Sequence, residues 1–173
     1  VTVDPGTIIL PKQFKQNIQT LTEKLDISHE YIETDYSEII RESFTGKVHP
    51  CGRCSKNTSM IVKEYAKSNE IPIIIFGDML ATGSQCINLQ EDSLYRLNLP
   101  ASLSVGKQEI KSLIRNYDLQ TFKGFGCPLL YEVHKKFTHM RKFSIQRILR
   151  ETRSGALEPG EALDLIWSFN KVK

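Results

Sequence analysis

The chain has 173 residues, of which 40% are hydrophobic and 25% charged, a composition typical of a globular protein with its own core. No apolar run approaches the roughly 18 residues that span a bilayer, and the first residues lack the basic region of a signal peptide. Four cysteines are too few for a disulfide scaffold at this length. We therefore expect a cytoplasmic protein, without a membrane partner, whose cysteines serve metal or redox chemistry.

The net charge of +3 is unevenly distributed along the chain. Residues 107–153 contain eleven Lys or Arg side chains against four Asp or Glu. A basic segment of this kind is compatible with a polyanionic partner, and equally with an ordinary solvated helix face.

The first quarter of the chain alternates between strands and helices. Thr2 and Val3 end a strand that turns at Asp4-Pro5-Gly6. The apolar spacing predicts a helix over residues 12–25, a strand over 29–34 and a short helix over 36–44. Because the chain opens inside a strand, we expect further sequence upstream of it.

A Cys-x-x-Cys segment opens the next helix, predicted over residues 53–69. The β-branched apolar run at 71–76 predicts a strand buried on both faces of a parallel sheet. Strands and helices in this order predict an α/β layered fold with right-handed crossovers.

The second half of the chain is mostly helical. An edge strand is predicted over residues 94–99 and a glycine-bearing loop over 121–127. We divide the chain into an α/β domain, residues 1–105, and a C-terminal helical region, residues 106–173. The helices of the second half are predicted over residues 107–117, 129–140, 144–152 and 159–170.

Three cysteines form the candidate reactive site. Cys51 and Cys54 lie two residues apart at a helix N-terminus, where the partial positive charge favours thiolates, and Cys127 is the natural third member. Three thiolates with an open position suit a [4Fe-4S] cluster, whereas structural zinc needs a fourth ligand, for which Cys86 or His49 is available. A dithiol that transfers sulfur and ordinary free cysteines are the alternatives.

A loop of small residues, 77–84, follows the buried strand. Ligands of open α/β sheets bind at the carboxyl ends of the strands, where small side chains let a nucleotide approach the backbone. Thr82 and Ser84 are candidates for phosphate binding there, and Asp78 is a turn cap in preference to a magnesium ligand. The turn at Asp4 lies on the same sheet edge, and its simplest interpretation is a plain turn.

The two helices after Cys127 carry basic side chains between apolar residues that form their buried faces. Phe122, Phe125 and Phe143 are candidates for stacking on a splayed base, although we expect core packing for Phe143. His134 and His139 are predicted to be surface residues. The candidate phosphate-contacting residues are Lys135, Lys136, Arg141, Lys142, Arg147 and Arg150.

The order of these motifs resembles that of the PP-loop ATP pyrophosphatase superfamily, and most of all its tRNA thiolases, which make 2-thiouridine or 2-thiocytidine. The resemblance covers most of the chain up to residue 150. It implies an adenine-nucleotide alpha-hydrolase-like αβα domain with a C-terminal helical extension. It rests on Val3-Asp4-Pro5-Gly6, the Cys-x-x-Cys helix, Leu80-Ala81-Thr82-Gly83, the strand at 94–99 and Gly126-Cys127-Pro128.

The resemblance implies adenylation of a carbonyl oxygen in tRNA by ATP with Mg²⁺, and then displacement of AMP by sulfur. Cys51, Cys54 and Cys127 are the implied catalytic residues, either as ligands of a [4Fe-4S] cluster or zinc, or as carriers of a persulfide. Asp4 and Leu80-Ala81-Thr82-Gly83 would bind the nucleotide. The implied partners are tRNA and a sulfur donor, and a homodimer is compatible with the family.

Two departures from the family pattern matter. The Ser-Gly-Gly-x-Asp-Ser pyrophosphate loop is absent from these 173 residues, and Ser84-Gln85-Cys86 replaces the usual His-Asn or His-His. Either an upstream segment supplies the loop, which we favour, or the chain is a degenerate nucleotide- or metal-binding subunit. An ordinary redox protein would leave Cys127 without a role.

Overall fold

The protein has a mixed α/β structure, which confirms the predicted fold class at that level. The computed structural model describes residues 1–78, 86–90, 93–120 and 124–169. The strands are β1 (Thr2–Asp4), β2 (Tyr31–Glu33), β3 (Ile73–Phe76), β4 (Ile87–Leu89) and β5 (Tyr95–Asn98). The helices are α1 (Lys12–Lys24), α2 (Ser37–Ser43), α3 (Pro50–Ser68), α4 (Leu99–Ser102), α5 (Lys107–Ile114), α6 (Pro128–Lys136), α7 (Arg141–Arg153) and α8 (Pro159–Ser168). In the described ranges, no helix combines the length and apolarity needed to cross a membrane.

The strands of the described residues form two separate sheets. β1 pairs with β2 in parallel, and the second sheet has the order β3-β5-β4. β5 is therefore a central strand, and its prediction as an edge strand was wrong. β4 runs antiparallel to β5 and forms the other edge of this sheet. It was not predicted, because its three residues are too few for a clear alternating pattern.

One face of the second sheet packs on a helix and the other is exposed. Ile74 is 7% exposed and packs with Ala66 and Leu94. Its neighbours Ile73 and Ile75 point the opposite way and are 51% and 59% exposed. The prediction that this strand is buried on both faces was therefore wrong, because α3 covers only one of them.

Helix α3 carries two of the candidate cysteines at its N-terminal end and packs against the second sheet near its C-terminal end. It begins at Pro50, in a first-turn position where the missing N–H costs nothing. It ends before Glu70, whose φ of +54° turns the chain towards β3. Its start lies three residues before the predicted one, so Cys51 and Cys54 both belong to the helix.

The last three helices enclose a fully buried core. Leu129 and Val133 of α6 pack with Met140 and against apolar residues of the first 44 positions, including Ile8 and Phe44. A second cluster joins α7 to α8 and contains Ile148, Leu157, Ala162 and Phe169. The predicted domain boundary after residue 105 stays a prediction.

Candidate functional site

Two helix N-termini carry the three candidate cysteines. Cys51 and Cys54 lie in the first turns of α3. Cys127 is the N-cap residue of α6, and α6 begins, as α3 does, with a proline. The helices α3 and α6 contact each other. The partial positive ends of two helices are thus placed beside thiols, an arrangement that favours negative charge on sulfur.

Cys127 lies close enough to Cys51 and Cys54 to influence their ionisation. Burial, followed by the charge of Cys127, raises the pKa of the Cys51 thiol to about 11. Burial also raises the pKa of the Cys54 thiol to about 11, with further contributions from Cys127 and Cys51. All three are free cysteines with half-buried side chains. The structure therefore brings together the three residues that the sequence singled out, and Cys51 and Cys54 are mainly protonated at neutral pH.

Arg147 supplies a positive charge to this site. Its charge lowers the pKa of Cys51 against the larger effect of burial. For His49, burial lowers the pKa and the charge of Arg147 lowers it further. The guanidinium lies 5.5 Å from the centroid of the Phe125 ring, and its Nε donates to Glu151 Oε1 at 2.9 Å. Arg147 was predicted to contact phosphates, and no local sequence pattern predicted its place beside the thiols.

The glycine before Cys127 is required by close packing. Gly126 has a φ of +85°, and a Cβ atom there would lie 2.4 Å from Leu130 Cδ2. Leu130 is fully buried. Gly126 thus lets the chain enter α6 with Cys127 at the cap position.

Two polar contacts hold the Cys-x-x-Cys turn in place. Arg53, which lies between the two cysteines, forms an ion pair with Glu42 of α2. His49, the N-cap residue of α3, shares a hydrogen bond of 3.2 Å between its Nε2 and Ser144 Oγ. Ser144 Oγ lies in turn 3.1 Å from His134 Nε2. A chain of hydrogen bonds therefore connects the start of α3 to α7 and α6.

The prediction that His134 is a surface residue was wrong. Its side chain is 1% exposed, and burial, aided by the charges of His49 and Arg141, lowers its pKa to about 4. Its place four residues after Leu130, on the apolar face of α6, was the signal that sequence reasoning passed over. His139 is exposed as predicted, with Nε2 2.9 Å from the Gly46 carbonyl oxygen.

Most of the predicted phosphate-contacting side chains are on the surface. Arg141 is the exception, because it is half-buried and its Nε donates to the His134 carbonyl oxygen at 3.2 Å. Phe143, for which we expected core packing, is 42% exposed, with Lys142 5.0 Å from its ring centroid. The exposed members of the predicted set are Lys135, Lys136, Lys142, Arg147 and Arg150.

Phe143 adjoins the cysteine-bearing turn. The centroids of its ring and the His49 ring are 5.6 Å apart. Phe125 packs instead against Phe169, with ring centroids 6.0 Å apart. Phe122 lies outside the described residues. Of the two aromatic candidates that the structure describes, Phe143 is thus the one that is exposed beside the site.

The predicted nucleotide-binding residues are described only in part. Leu80, Ala81, Thr82 and Gly83 lie outside the described residues. Asp4 is buried, forms an ion pair with Lys15 and accepts the Gly6 N–H at 3.0 Å, and these contacts lower its pKa. An open cavity of about 410 Å³ adjoins Asp4 at the carboxyl ends of β1 and β2, and it is also lined by Gly6, Glu33, Thr34 and Asp35.

Cysteine thiols are suitable metal ligands by type, but the three candidate cysteines are not arranged around one point that could hold a metal ion. Thiolates are the preferred ligands of zinc and iron–sulfur clusters. Within the ranges that the structure describes, no group of three or more His, Cys, Asp or Glu side chains is arranged to hold a metal ion. Cys86, one candidate for a fourth ligand, lies at β4, where its carbonyl accepts the Asn98 N–H at 2.8 Å. A metal centre therefore stays a proposal.

Comparisons with known proteins add a relative but no assigned activity. An uncharacterized protein of Methanocaldococcus jannaschii is 35% identical to this chain over 153 residues. The match covers 88% of this chain, and the chain spans 58% of the relative's length. No family model matches the chain, and no solved structure is detectably similar to it.

Proposed function

We propose that this protein transfers sulfur through cysteine thiols to an adenylated base of tRNA, as the resemblance to PP-loop thiolases implies. The convergence of Cys51, Cys54 and Cys127 carries the proposal. A sulfur carrier needs one thiol to hold the sulfur and a second to release it, and this site has three. The αβα layered architecture of that superfamily and a cytoplasmic location are parts of the same proposal.

The chemistry balances with a persulfide donor and an external thiol reductant. One cysteine accepts a sulfur atom and becomes a persulfide. Its terminal sulfur attacks the adenylated carbon, so that a C–S bond forms and the C–O bond to AMP breaks, with AMP leaving as the anion. A second cysteine thiolate then attacks the first cysteine's sulfur. The S–S bond to the base breaks, the electron pair stays on the base sulfur, and the reductant reduces the resulting disulfide.

The surroundings of the thiols suit a sulfur carrier. Burial keeps Cys51 and Cys54 protonated at neutral pH, which limits reaction with the wrong partners. A persulfide is more acidic than a thiol, and the helix ends and Arg147 would stabilise its anion. Cys127, on a different helix, would then be the residue that releases the sulfur.

The surface around the site suits a polyanion. Lys135, Lys142 and Arg150 project from the α6–α7 region into solvent, where Lys and Arg bind phosphates. Phe143 is exposed between Lys142 and the His49 ring and is available to stack on an unpaired base. Exposed charge is not specific for tRNA, so this part of the proposal depends on the cysteine site beside it.

The cavity beside Asp4 disfavours a polyphosphate without its metal ion. Asp4 is already engaged by Lys15, and the cavity beside it carries three carboxylates, which repel a polyphosphate that lacks a metal ion. We assign ATP with Mg²⁺ to the Leu80–Gly83 loop and an added phosphate loop. In the alternative, the protein is a nucleotide- or metal-binding subunit without activity, and the three cysteines have a structural role only.

Persulfide mapping tests the proposal. The protein is purified without oxygen, analysed for iron, sulfide and zinc, incubated with glutathione persulfide and alkylated, and the modified cysteines are identified by mass spectrometry. We expect persulfide on Cys51, Cys54 or Cys127. In Cys127→Ser, we expect no disulfide of the kind that forms when a second cysteine releases the sulfur. Cys86→Ser is the matched control, because Cys86 lies next to β4, where its carbonyl oxygen accepts the Asn98 N–H.

The metal analysis decides between the versions of the site. Iron and sulfide that disappear in Cys127→Ser support a three-cysteine cluster. Stoichiometric zinc that survives this substitution, together with no persulfide on any of the three, contradicts sulfur transfer and favours the non-catalytic alternative.

Salt-dependent binding of bulk tRNA tests the RNA partner. Lys142→Gln and Arg150→Gln should each reduce the slope of log affinity against log salt by about 1. Lys12→Gln, an exposed change on α1, should leave the slope unchanged. Equal effects of all three variants would contradict an interface on α7.

A further inference from the structure

The two sheets face each other across an apolar groove. Both β1 and β3 contact α3, and among residues 1–78, 86–90, 93–120 and 124–169 each is hydrogen-bonded to a strand on one side, so each forms an edge of its sheet as described. A cavity of about 480 Å³ lies between these edges. Its walls are residues 1–3, 71 and 73–77, and its floor is formed by Thr58, Val62, Tyr65 and Ala66 of α3.

The backbone of β1 is directed into this groove. The Thr2 N–H donates to the Glu30 carbonyl oxygen at 2.9 Å, and the Asp4 carbonyl oxygen accepts the Thr34 N–H at 3.1 Å. Both residues therefore face β2. In a parallel ladder, successive residues present their N–H and C=O groups to opposite sides. Val3, between them, presents its backbone groups to the groove.

The same alternation applies to β3. The Tyr95 N–H donates to the Pro72 carbonyl oxygen at 2.8 Å, and the paired strands run parallel. Pro72, Ile74 and Phe76 consequently face β5. Ile73 and Ile75 present their N–H and C=O groups to the side of β1. The groove thus has hydrogen-bonding groups on both walls, and its floor includes the apolar side chains of Val62 and Ala66.

We propose that this groove is a docking site for an extended β-strand from a polypeptide segment outside these 173 residues. The strand would pair with Val3 on one side and with Ile73 and Ile75 on the other, and would join the two sheets. This inference does not rest on the sulfur-transfer proposal, because none of the groove residues is a cysteine.

The groove also defines the chemistry of the strand. The side chains on one face of the strand would meet Val62 and Ala66, and those on the other would continue the exposed surface of Ile73 and Ile75. Both faces therefore call for β-branched apolar residues, the composition of a central strand. In the archaeal relative, 42% of the length lies outside the matched part, which gives that protein the additional polypeptide that such a strand requires.

Backbone hydrogen exchange measures whether the groove is open. In residues 1–173, we expect the Val3, Ile73 and Ile75 amides to exchange at least about tenfold faster than the Thr2 and Ile74 amides, which face paired strands. Equal protection of all five amides would show that the groove is closed and would overturn the proposal.

A fused strand measures whether the groove binds one. The probe is Lys-Val-Ile-Val-Ile-Val-Lys, joined upstream of Val1 through a flexible linker of about 20 Gly and Ser residues, which spans roughly 25 Å on average. We expect the three groove-facing amides to become at least tenfold slower to exchange. The control probe, Lys-Val-Ile-Pro-Ile-Val-Lys, differs by one proline that cannot donate to the ladder, and it should not protect them.

Paired proline variants identify the side of β3 that is used. Ile75→Pro removes an N–H that faces the groove, so the chain should still fold and the fused strand should lose its protective effect. Ile74→Pro removes an N–H that faces β5 and should destabilise the chain itself.

Three results would overturn the proposal. One is a fused strand that protects none of the groove-facing amides. Another is protection by the proline-containing probe, which would indicate hydrophobic adhesion. The third is protection of the unfused chain that increases with protein concentration, which would make a second copy the occupant.

Discussion

The helices at the end of the chain and the three-stranded sheet contain similar apolar residues but bury them to very different extents. Leu129, Val133 and Ile148 are fully buried in the helical part. Ile75 and Ile87, on the sheet, are 59% and 63% exposed. The difference does not come from residue type, so it reports how completely each part is covered by the residues that the structure describes.

The cysteine site lies on the well-packed side of this contrast. The first turn of α3 is held by His49, Ser144 and the neighbouring helices, whereas Val62 and Ala66 in its second half support the partly covered sheet. A rigid end that positions thiols and an open end that accepts a strand can therefore coexist on one helix. Variants in the two parts separate these roles.

The largest contrast is expected for the same substitution in the two parts. Ile148→Ala removes a fully buried side chain, and we expect the free energy of unfolding to fall by about 3 kcal/mol. Ile75→Ala removes a largely exposed one and should cost less than about 1 kcal/mol. Chemical denaturation of both variants measures the difference, and equal losses would show that the sheet face is covered in solution.

The pH dependence of stability is the second test of the helical part. Burial depresses the pKa of His134 from 6.5 to about 4 in the folded chain. Its contribution is complete above pH 6.5 and is lost as the pH falls towards 4, because the unfolded chain then binds a proton that the folded chain does not. The loss approaches about 3 kcal/mol.

Replacement of this histidine isolates its effect from that of the carboxylates. His134→Gln should reduce the slope of unfolding free energy against pH between 6.5 and 4. The reduction should correspond to at most one proton fewer taken up on unfolding. His139→Gln, at an exposed position, should not. Identical slopes for the wild type and His134→Gln would mean that the imidazole is hydrated.

The third test concerns the entry to α6. Gly126→Ala combines a left-handed φ with a clash against Leu130 and should cost about 2 kcal/mol. Gly155→Ala, at a φ of +77° with open space around the position, isolates the backbone contribution of about 1 kcal/mol. The reaction rate of Cys127 with a thiol reagent should change in the first variant alone, and a change in both would assign the effect to global stability.

Much of the secondary structure was predictable because it depends on local pattern. Apolar spacing located α1 and α7 to within a few residues, and the β-branched run located β3. Burial was not predictable from the same run. Ile73 and Ile75 have the composition of a doubly covered strand, but coverage depends on what packs there, which β3 does not encode.

The site was predictable to a similar extent. The spacing of Cys51 and Cys54 places both on one helix, but their meeting with Cys127 depends on contact between α3 and α6. The order of motifs indicated the three-cysteine set through a family resemblance. The roles of His134, Ser144 and Arg147 depend on tertiary packing and left no signal as clear as a Cys-x-x-Cys pair.

The smallest expected effect on stability belongs to the exposed sheet face. Ile75 and Ile87 lie on one face of the sheet, since each pairs in register with Leu97 of β5. Ile75→Thr with Ile87→Thr keeps two β-branched residues and should change the free energy of unfolding by no more than about 0.5 kcal/mol per site. Sedimentation should show weaker self-association, because an exposed apolar patch has been made polar. A large loss of stability with unchanged association would mean that this face already packs against the protein's own chain, and would remove the contrast between the two parts.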